Sequence, residues 1–253
     1  LRVQKALDAS LGDHPRQQTE RGRAGLRRDA THLEIGPSSL RWEGDALVVH
    51  LDERSLPLPR RLRGTVRVHP TALTGHQLVL DGGGVHRWRP IAPRARVEVS
   101  LTEPDVRWSG AGYLDSNAGS GPLEDSFVRW DWSRGTTRDG TVILYDVARR
   151  DDTQQGFAMH VDRRGQVEPF TPPRRIALPS SRWLVQRRTR ADEHVAPRVV
   201  QTLLDAPFYA RSVIASSLRG EPVVSMHESL SLDRFRAPLV QAMLPLRMPR
   251  VRR

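Results

Sequence analysis

The sequence predicts an all-β protein. Three observations predict it. Apolar and polar residues alternate along most of the 253 residues, glycine-bearing turns separate the alternating runs, and helical spacing is strongest near the C-terminus. The first strands expected are HLEIG (32–36), SLRW (39–42), ALVVHLDE (46–53), RGTVRVH (63–69), HQLVLD (76–81) and RARVEVSL (94–101). In them Val66 and Val68 share one face, as do Val97, Val99 and Leu101, because side chains on a strand repeat every two residues. After a Gly-rich stretch at 109–121 the alternation resumes in SFVRWDWSRG (126–135), GTVILYDVARR (140–150) and GFAMHVDRRGQVEPF (156–170). TTRDG and DRRG stand where hairpin turns belong, each supplying a glycine for positive φ. RWLVQRR (182–188), PRVVQTLLD (197–205) and residues 208–230 extend the pattern, with LRGEP as a further turn. DRFRAPLVQAML (233–244) reads as a short helix with Pro238 in its first turn, and 2–11 has some helical character. Such closely spaced strands without intervening helices make a barrel or a sandwich. The stretch 109–125 is the best boundary on composition, and it carries the densest motif.

Composition narrows the function classes. Hydrophobic residues make up 38% of the chain, ordinary for a globular protein once glycine is added. No apolar run reaches the roughly 18 residues of a membrane-spanning helix, and the N-terminal residues show no apolar core of a secretory signal. Cysteine is absent, which excludes disulfides and thiolate chemistry and fits a reducing compartment. Net charge is +11, carried almost wholly by arginine, since Lys5 is the only lysine. A solvated basic surface and attraction to anionic lipid both account for it. Nucleic acid is disfavoured, because the arginines are dispersed and no zinc-finger, helix-turn-helix or RNP pattern accompanies them.

Familiar catalytic signatures are missing. The chain has no HExxH, no GxSxG and no dinucleotide fingerprint; its histidines are scattered, and DGGG (81–84) reads as a hairpin tip. Three aromatic–polar clusters remain. His86 and Trp88 are co-facial in HRWRP, as are Tyr113 and Asp115 in GYLDSN, while Trp130 and Trp132 share one side of a strand with Asp131 on the other. Such residues also build cores and turns. Together they form a set suited to acid chemistry on an apolar substrate. A buried carboxylic acid can protonate an alkene if its pKa rises by about three units, roughly 4 kcal/mol of differential interaction. Aromatic faces can hold the resulting cation at about 0.5–2 kcal/mol per contact. A histidine can handle the water that quenches it.

At these residues the chain resembles the carotenoid 1,2-hydratases (hydroxyneurosporene synthases). The similar stretches include TERGR (19–23), IGPSSLRWEGDAL (35–47), LDERSLPLPRRLRGTVRVHP (51–70), HRWRPIAPRARVEV (86–99), WSGAGYLDSNAGSGPLEDSFVRWDWSR (108–134), DAPFYARS (205–212) and HESLSLDRFRAPLVQAMLPLRMPR (227–250). The resemblance implies two lipocalin-like antiparallel β-barrels, placed here at 19–120 and 121–253, the first expected to be incomplete. Residues 1–18 are a polar segment outside the family pattern. It also implies addition of water across the terminal 1,2 double bond of an acyclic carotenoid such as neurosporene or lycopene, without cofactor or metal. The implied catalytic residues are Asp115, His86, Tyr113 and Trp88. By analogy Asp115 protonates C2, Trp88 and Tyr113 stabilise the C1 cation, and His86 assists the water. Trp130, Trp132 and Asn117 are candidates for contact with the substrate, and His227 and Glu228 for structural hydrogen bonds. The expected setting is the cytoplasmic side of an anionic membrane, held peripherally. Two alternatives stay open: a lipocalin-like carotenoid or lipid binder without turnover, and an inactive truncated copy. Cyclisation or isomerisation chemistry on a similar fold is a weaker third, resting on fold analogy alone.

Overall fold

The structure is a computed structural model that describes residues 20–21, 25–54, 60–247 and 250–251. The polar segment at 1–18 lies outside the described residues. Two compact units interleave along the chain. One takes Ala72–Pro93 and Leu114–Val240; the other takes Arg94–Tyr113 with the described parts of Lys5–Thr71 and Gln241–Arg253. This division differs from a single cut near residue 120, because two long strands each lend an end to both units.

Period-2 alternation builds the second unit. After β1 (Glu20–Arg21), the strands β2 (Leu26–Arg28), β3 (His32–Ile35), β4 (Ser38–Glu43), β5 (Ala46–Arg54) and β6 (Arg61–Pro70) pair antiparallel in sequence order. Their register brings the apolar face together. Val49 opposes Val66 and Val66 opposes Val99; Leu47 opposes Val68 and Val68 opposes Val97. All six side chains are buried. A bulge falls at Gly64, where a Cβ would lie 2.4 Å from the Ser100 carbonyl oxygen, so only glycine lets the strands approach this closely.

β7 (Leu78–Val79), β8 (His86–Glu103) and β9 (Asp105–Gly119) follow. The strand expected at 76–81 is only two residues long because Asp81 turns the chain. Its carboxylate accepts the backbone N–H groups of Val85, at 3.2 Å, and His86, at 3.0 Å, and DGGG forms the hairpin tip.

The first unit continues with α1 (Leu123–Ser126), β10 (Phe127–Thr136), β11 (Gly140–Arg149), β12 (Gln154–Asp162) and β13 (Val167–Pro169). Then come β14 (Arg175–Leu178), β15 (Arg187–Arg190), β16 (Arg198–Ala206), β17 (Tyr209–Leu218), β18 (Glu221–Ser231) and α2 (Leu232–Arg236). α3 (Pro238–Arg247) starts in this unit, and β19 (Arg250–Val251) pairs parallel with β1 in the other. The main sheet runs β13-β12-β11-β10-β18-β17-β16, antiparallel throughout. Two of the expected turns use positive φ, with Gly165 at +83° and Arg219 and Gly220 at +55° and +78°, whereas Gly140 of TTRDG takes no positive φ and opens β11, its carbonyl accepting the Thr137 N–H at 3.0 Å. β11 does not keep one wet face: all residues from Gly140 to Val147 are buried.

The structure departs from the expected elements in three places. RWLVQRR is not a strand along its length; only β15 is extended, and residues 181–184 form a turn held by Asp205. The expected single helix is split, since Ala237 leaves helical geometry before Pro238, which opens α3 at its first position. The all-β architecture stands, but the sheets are open. Among the described residues no pairing joins β13 to β16, so the strands do not complete the closed barrel that the lipocalin-like pattern suggests.

Candidate active site

The start of β8 places His86, Trp88 and Pro90 on its buried face, with Arg87 and Arg89 exposed between them. Trp88 is fully buried and His86 is 2% exposed. On β9 the alternation puts Asp115 and Asn117 on one face, both half-buried, while Leu114 and Ser116 on the other are buried. DSNAG is therefore strand rather than turn. The indole N–H of Trp88 donates to Oδ2 of Asp115 at 2.7 Å, joining two motifs 27 residues apart. His86 Nε2 lies 3.0 Å from the Ser126 hydroxyl, and its ring packs at 5.1 Å on Phe127. A Cβ on Gly119 would sit 2.5 Å from His86 Nδ1, so the glycine backbone closes the histidine's other side.

Tyr145 links this pair to the tryptophans of β10. Its ring is 5.2 Å from Trp88 and 6.3 Å from Trp130. In register it opposes Trp132, which opposes Glu228 on β18, which opposes Arg211 on β17. Directly paired residues share a face, so one face of the sheet carries Tyr145, Trp132, Glu228 and Arg211 in a row. Arg211 and Glu228 form a buried ion pair at 2.8 Å, and Arg211 also donates to the Tyr209 hydroxyl at 3.1 Å. Burial, with the Glu228 charge beside it, pushes the Tyr209 phenol well above its ordinary value.

The opposite face of the same strands is polar. Asp131 accepts from the Ser229 hydroxyl at 2.5 Å and the Arg188 N–H at 3.2 Å. His227 reaches Ser229 through Nε2 at 3.1 Å and Ser133 through Nδ1 at 2.7 Å. Burial dominates both titrations. It pushes the Asp131 carboxyl up to about 7, helped by the Asp146 carboxylate that opposes it. It pushes His227 down to about 3, helped by the Arg187 guanidinium. Asp146 is itself held by Arg190 at 2.7 Å and Arg175 at 3.1 Å.

Trp88, Asp115, Tyr145 and Trp130 therefore belong to one aromatic–acid cluster, with Trp132 beside Tyr145 and Asn117 on the strand face of Asp115; His86 shares the strand face of Trp88 and meets Ser126 and Phe127. Tyr113 falls in the other unit. The sequence reading missed Tyr145, Arg211 and Tyr209. Tyr145 was within reach, because the TTRDG turn sets the β10–β11 register and pairs it with Trp132. No local signal marks Arg211, whose partner lies across a strand pair. Among the described residues no three His, Asp or Glu side chains are placed to share a metal ion.

Comparison with known proteins places the chain in a family. Residues 9–253 match the model of the family described as carotenoid hydratase CrtC. The chain belongs to the carotenoid hydratase family. It is 51% identical over 234 residues to the acyclic carotenoid 1,2-hydratase of Thiocapsa roseopersicina, covering 92% of this chain and 58% of that protein. It is 42% identical over 233 residues to the hydratase of Cereibacter sphaeroides, covering 92% of this chain and 83% of that protein. The chain thus spans a little over half of the Thiocapsa hydratase. Among solved structures, an AttH protein of Nitrosomonas europaea aligns with TM-score 0.53 at 16% identity, over 82% of this chain and 72% of that one. CghA in complex with Sch210972 aligns with TM-score 0.53 at 12% identity, over 81% and 69%. At such identities the two likenesses speak for the fold of this family member and for nothing further.

Proposed function

We propose that this carotenoid hydratase family member adds water across the terminal 1,2 double bond of an acyclic carotenoid, with neurosporene and lycopene as the substrate class. The observation that carries the reading is the Trp88–Asp115 hydrogen bond set among Tyr145 and Trp130. It fixes a carboxyl group beside aromatic faces, where an alkene can meet an acid and its cation can be held. Asp115 gives its proton to C2, and the π electrons form the new C–H bond. The positive charge is left on C1, a tertiary centre. A water oxygen bonds to C1, and the proton that this water then loses, handled by His86, restores the acid. The sum is one water gained. No electrons are exchanged, so a cofactor has no step to perform. Trp88 faces the cation; Trp130, Trp132 and Asn117 contact the polyene. Tyr113 enters this reading on its family position alone. Because the substrate is a lipid, the basic surface docks the protein peripherally on the cytoplasmic face of an anionic membrane. No helix among the described residues is long and apolar enough to cross one.

The test is conversion in cells that make lycopene or neurosporene, with mass spectrometry reading the gain of one water. The parent chain should form the tertiary alcohol, and Asp115→Asn should lose at least about 100-fold, the usual share of a general acid. Folded parent protein without product overturns the hydratase reading and favours a carotenoid binder. Product from both keeps the reaction and removes Asp115 as its acid.

A further inference from the structure

One end of the first unit presents an apolar tip of unusual build. Trp183 is 51% exposed and Leu184 is 73% exposed, side by side at the far corner of the turn 181–184. Large apolar side chains this open are common singly, but here two adjoin. The turn is rigid. The Leu184 N–H donates to the Ser181 carbonyl at 2.9 Å, and the Ser181 N–H donates to the Val185 carbonyl at 3.0 Å. The Asp205 carboxylate accepts the Ser181 hydroxyl and the Arg182 N–H, each at 2.6 Å. Arg187, itself buried, donates to the carbonyls of Pro179 and Ser180 at 2.7 and 3.1 Å. Leu184 has φ +60°, a conformation in which a leucine is uncommon and which glycine accepts without cost. A turn that only had to close would be better served by glycine. Here a leucine takes the strained conformation, and its side chain is given to solvent.

Two basic groups stand at the tip. Arg182 is exposed within it, and Arg234 on α2 donates to the Trp183 carbonyl at 2.6 Å; Arg236, exposed on the same short helix, is directed to the Glu124 carbonyl at 3.5 Å. α2 is anchored by the edge-on packing of Phe235 on Phe208 at 5.2 Å. Of the carboxylates nearest the tip, Asp205 is engaged by the turn and Asp233 by Arg150, while Glu124 and Asp125 lie on α1, which packs against α2. A tryptophan and an aliphatic side chain on a hydrogen-bonded turn, with Arg182 and Arg234 beside them, match the layered chemistry of an anionic bilayer. Indole rings settle at the headgroup level, aliphatic carbon enters the acyl boundary, and guanidinium groups meet lipid phosphates.

We propose that the turn 181–184, with Arg182 and Arg234, is the surface by which this protein docks on anionic membranes. The proposal takes its purpose from the carotenoid reading, since a water-insoluble substrate must be reached in lipid. Its evidence is separate, and a vesicle assay without carotenoid keeps the two failures apart.

The experiment is co-sedimentation of the full chain with vesicles of phosphatidylglycerol and phosphatidylcholine, beside vesicles of phosphatidylcholine alone. The parent should partition to the anionic vesicles and be released by salt. Trp183→Ala with Leu184→Ser should bind at least about ten-fold less tightly, and Arg182→Gln about five-fold less. Val224→Ser, which removes a side chain 64% exposed elsewhere in the same unit, should change nothing. Leu184→Gly separates docking from folding. It should melt no lower than the parent, because it relieves the turn, yet bind more weakly. Failure of the parent to bind anionic vesicles overturns the proposal. So does undiminished binding by the Trp183/Leu184 double variant or by Leu184→Gly.

Discussion

The two faces of the seven-stranded sheet are made by the same strands and often by adjacent residues, yet they handle charge in opposite ways. On the aromatic face, Glu228 is neutralised by contact: Arg211 lies 2.8 Å away and both are buried. On the polar face, the Asp131 carboxylate accepts from a serine hydroxyl and a backbone N–H among the described residues, and burial pushes it up to about 7. Glu228 has an opposite charge bonded to it; Asp131 has none bonded to it, and burial raises its carboxyl instead. A desolvated carboxyl takes one course or the other.

The largest expected effect breaks the contact on the aromatic face. Arg211→Met leaves a buried glutamate without its partner and should cost about 3–5 kcal/mol in urea unfolding. The pair Arg211→Met with Glu228→Leu should recover most of that, since apolar replacement of both members is nearly neutral. A single variant within about 1 kcal/mol of the parent would show that the pair is solvated and that the two faces do not differ as described.

A second effect sharpens the contrast through pH. Asp131 titrates near 7 when folded, above an ordinary unfolded value of about 3.9. Its contribution is fully present below about pH 4 and is lost as pH rises through 7, at about 1.4 kcal/mol per unit. His227 titrates near 3 when folded, below an unfolded value of about 6.5. Its contribution is present above about pH 6.5 and is lost as pH falls toward 3. Between pH 4 and 6.5 the two slopes oppose, so these groups leave parent stability nearly flat. Asp131→Asn should unmask a rise with pH across that window, and His227→Gln a fall. Unfolding titrations at several pH values read this directly, and two flat variants would refute the buried pair of opposite shifts.

The smallest effect tests the join between motifs. Trp88→Phe keeps an aromatic ring and removes the indole N–H from Asp115. It should lower stability by about 1–2 kcal/mol and reduce carotenoid conversion. Unchanged conversion would mean that this hydrogen bond does not position the acid.

Much of this was legible in the amino-acid order. Alternation located most strands, glycine located the hairpin turns, and the co-facial pairs His86/Trp88 and Trp130/Trp132 followed from a period of two. A strand's own residues dictate which side chains travel together, because that geometry is local. What each face meets is not local. That Trp88 bonds Asp115, that Tyr145 stands against Trp88, and that Arg211 finds Glu228 depend on pairings between distant strands. The same holds for Asp131: its position opposite two tryptophans was plain, but its raised pKa comes from burial under residues far along the chain. The turn at 181–184 shows the limit from the other side. RWLVQRR alternates well enough for a strand, and Asp205 bends it into a tip that exposes Trp183 and Leu184. Sequence period decides which residues share a face; tertiary packing alone decides whether that face is wet, apolar or charged, because desolvation is a property of everything packed around it.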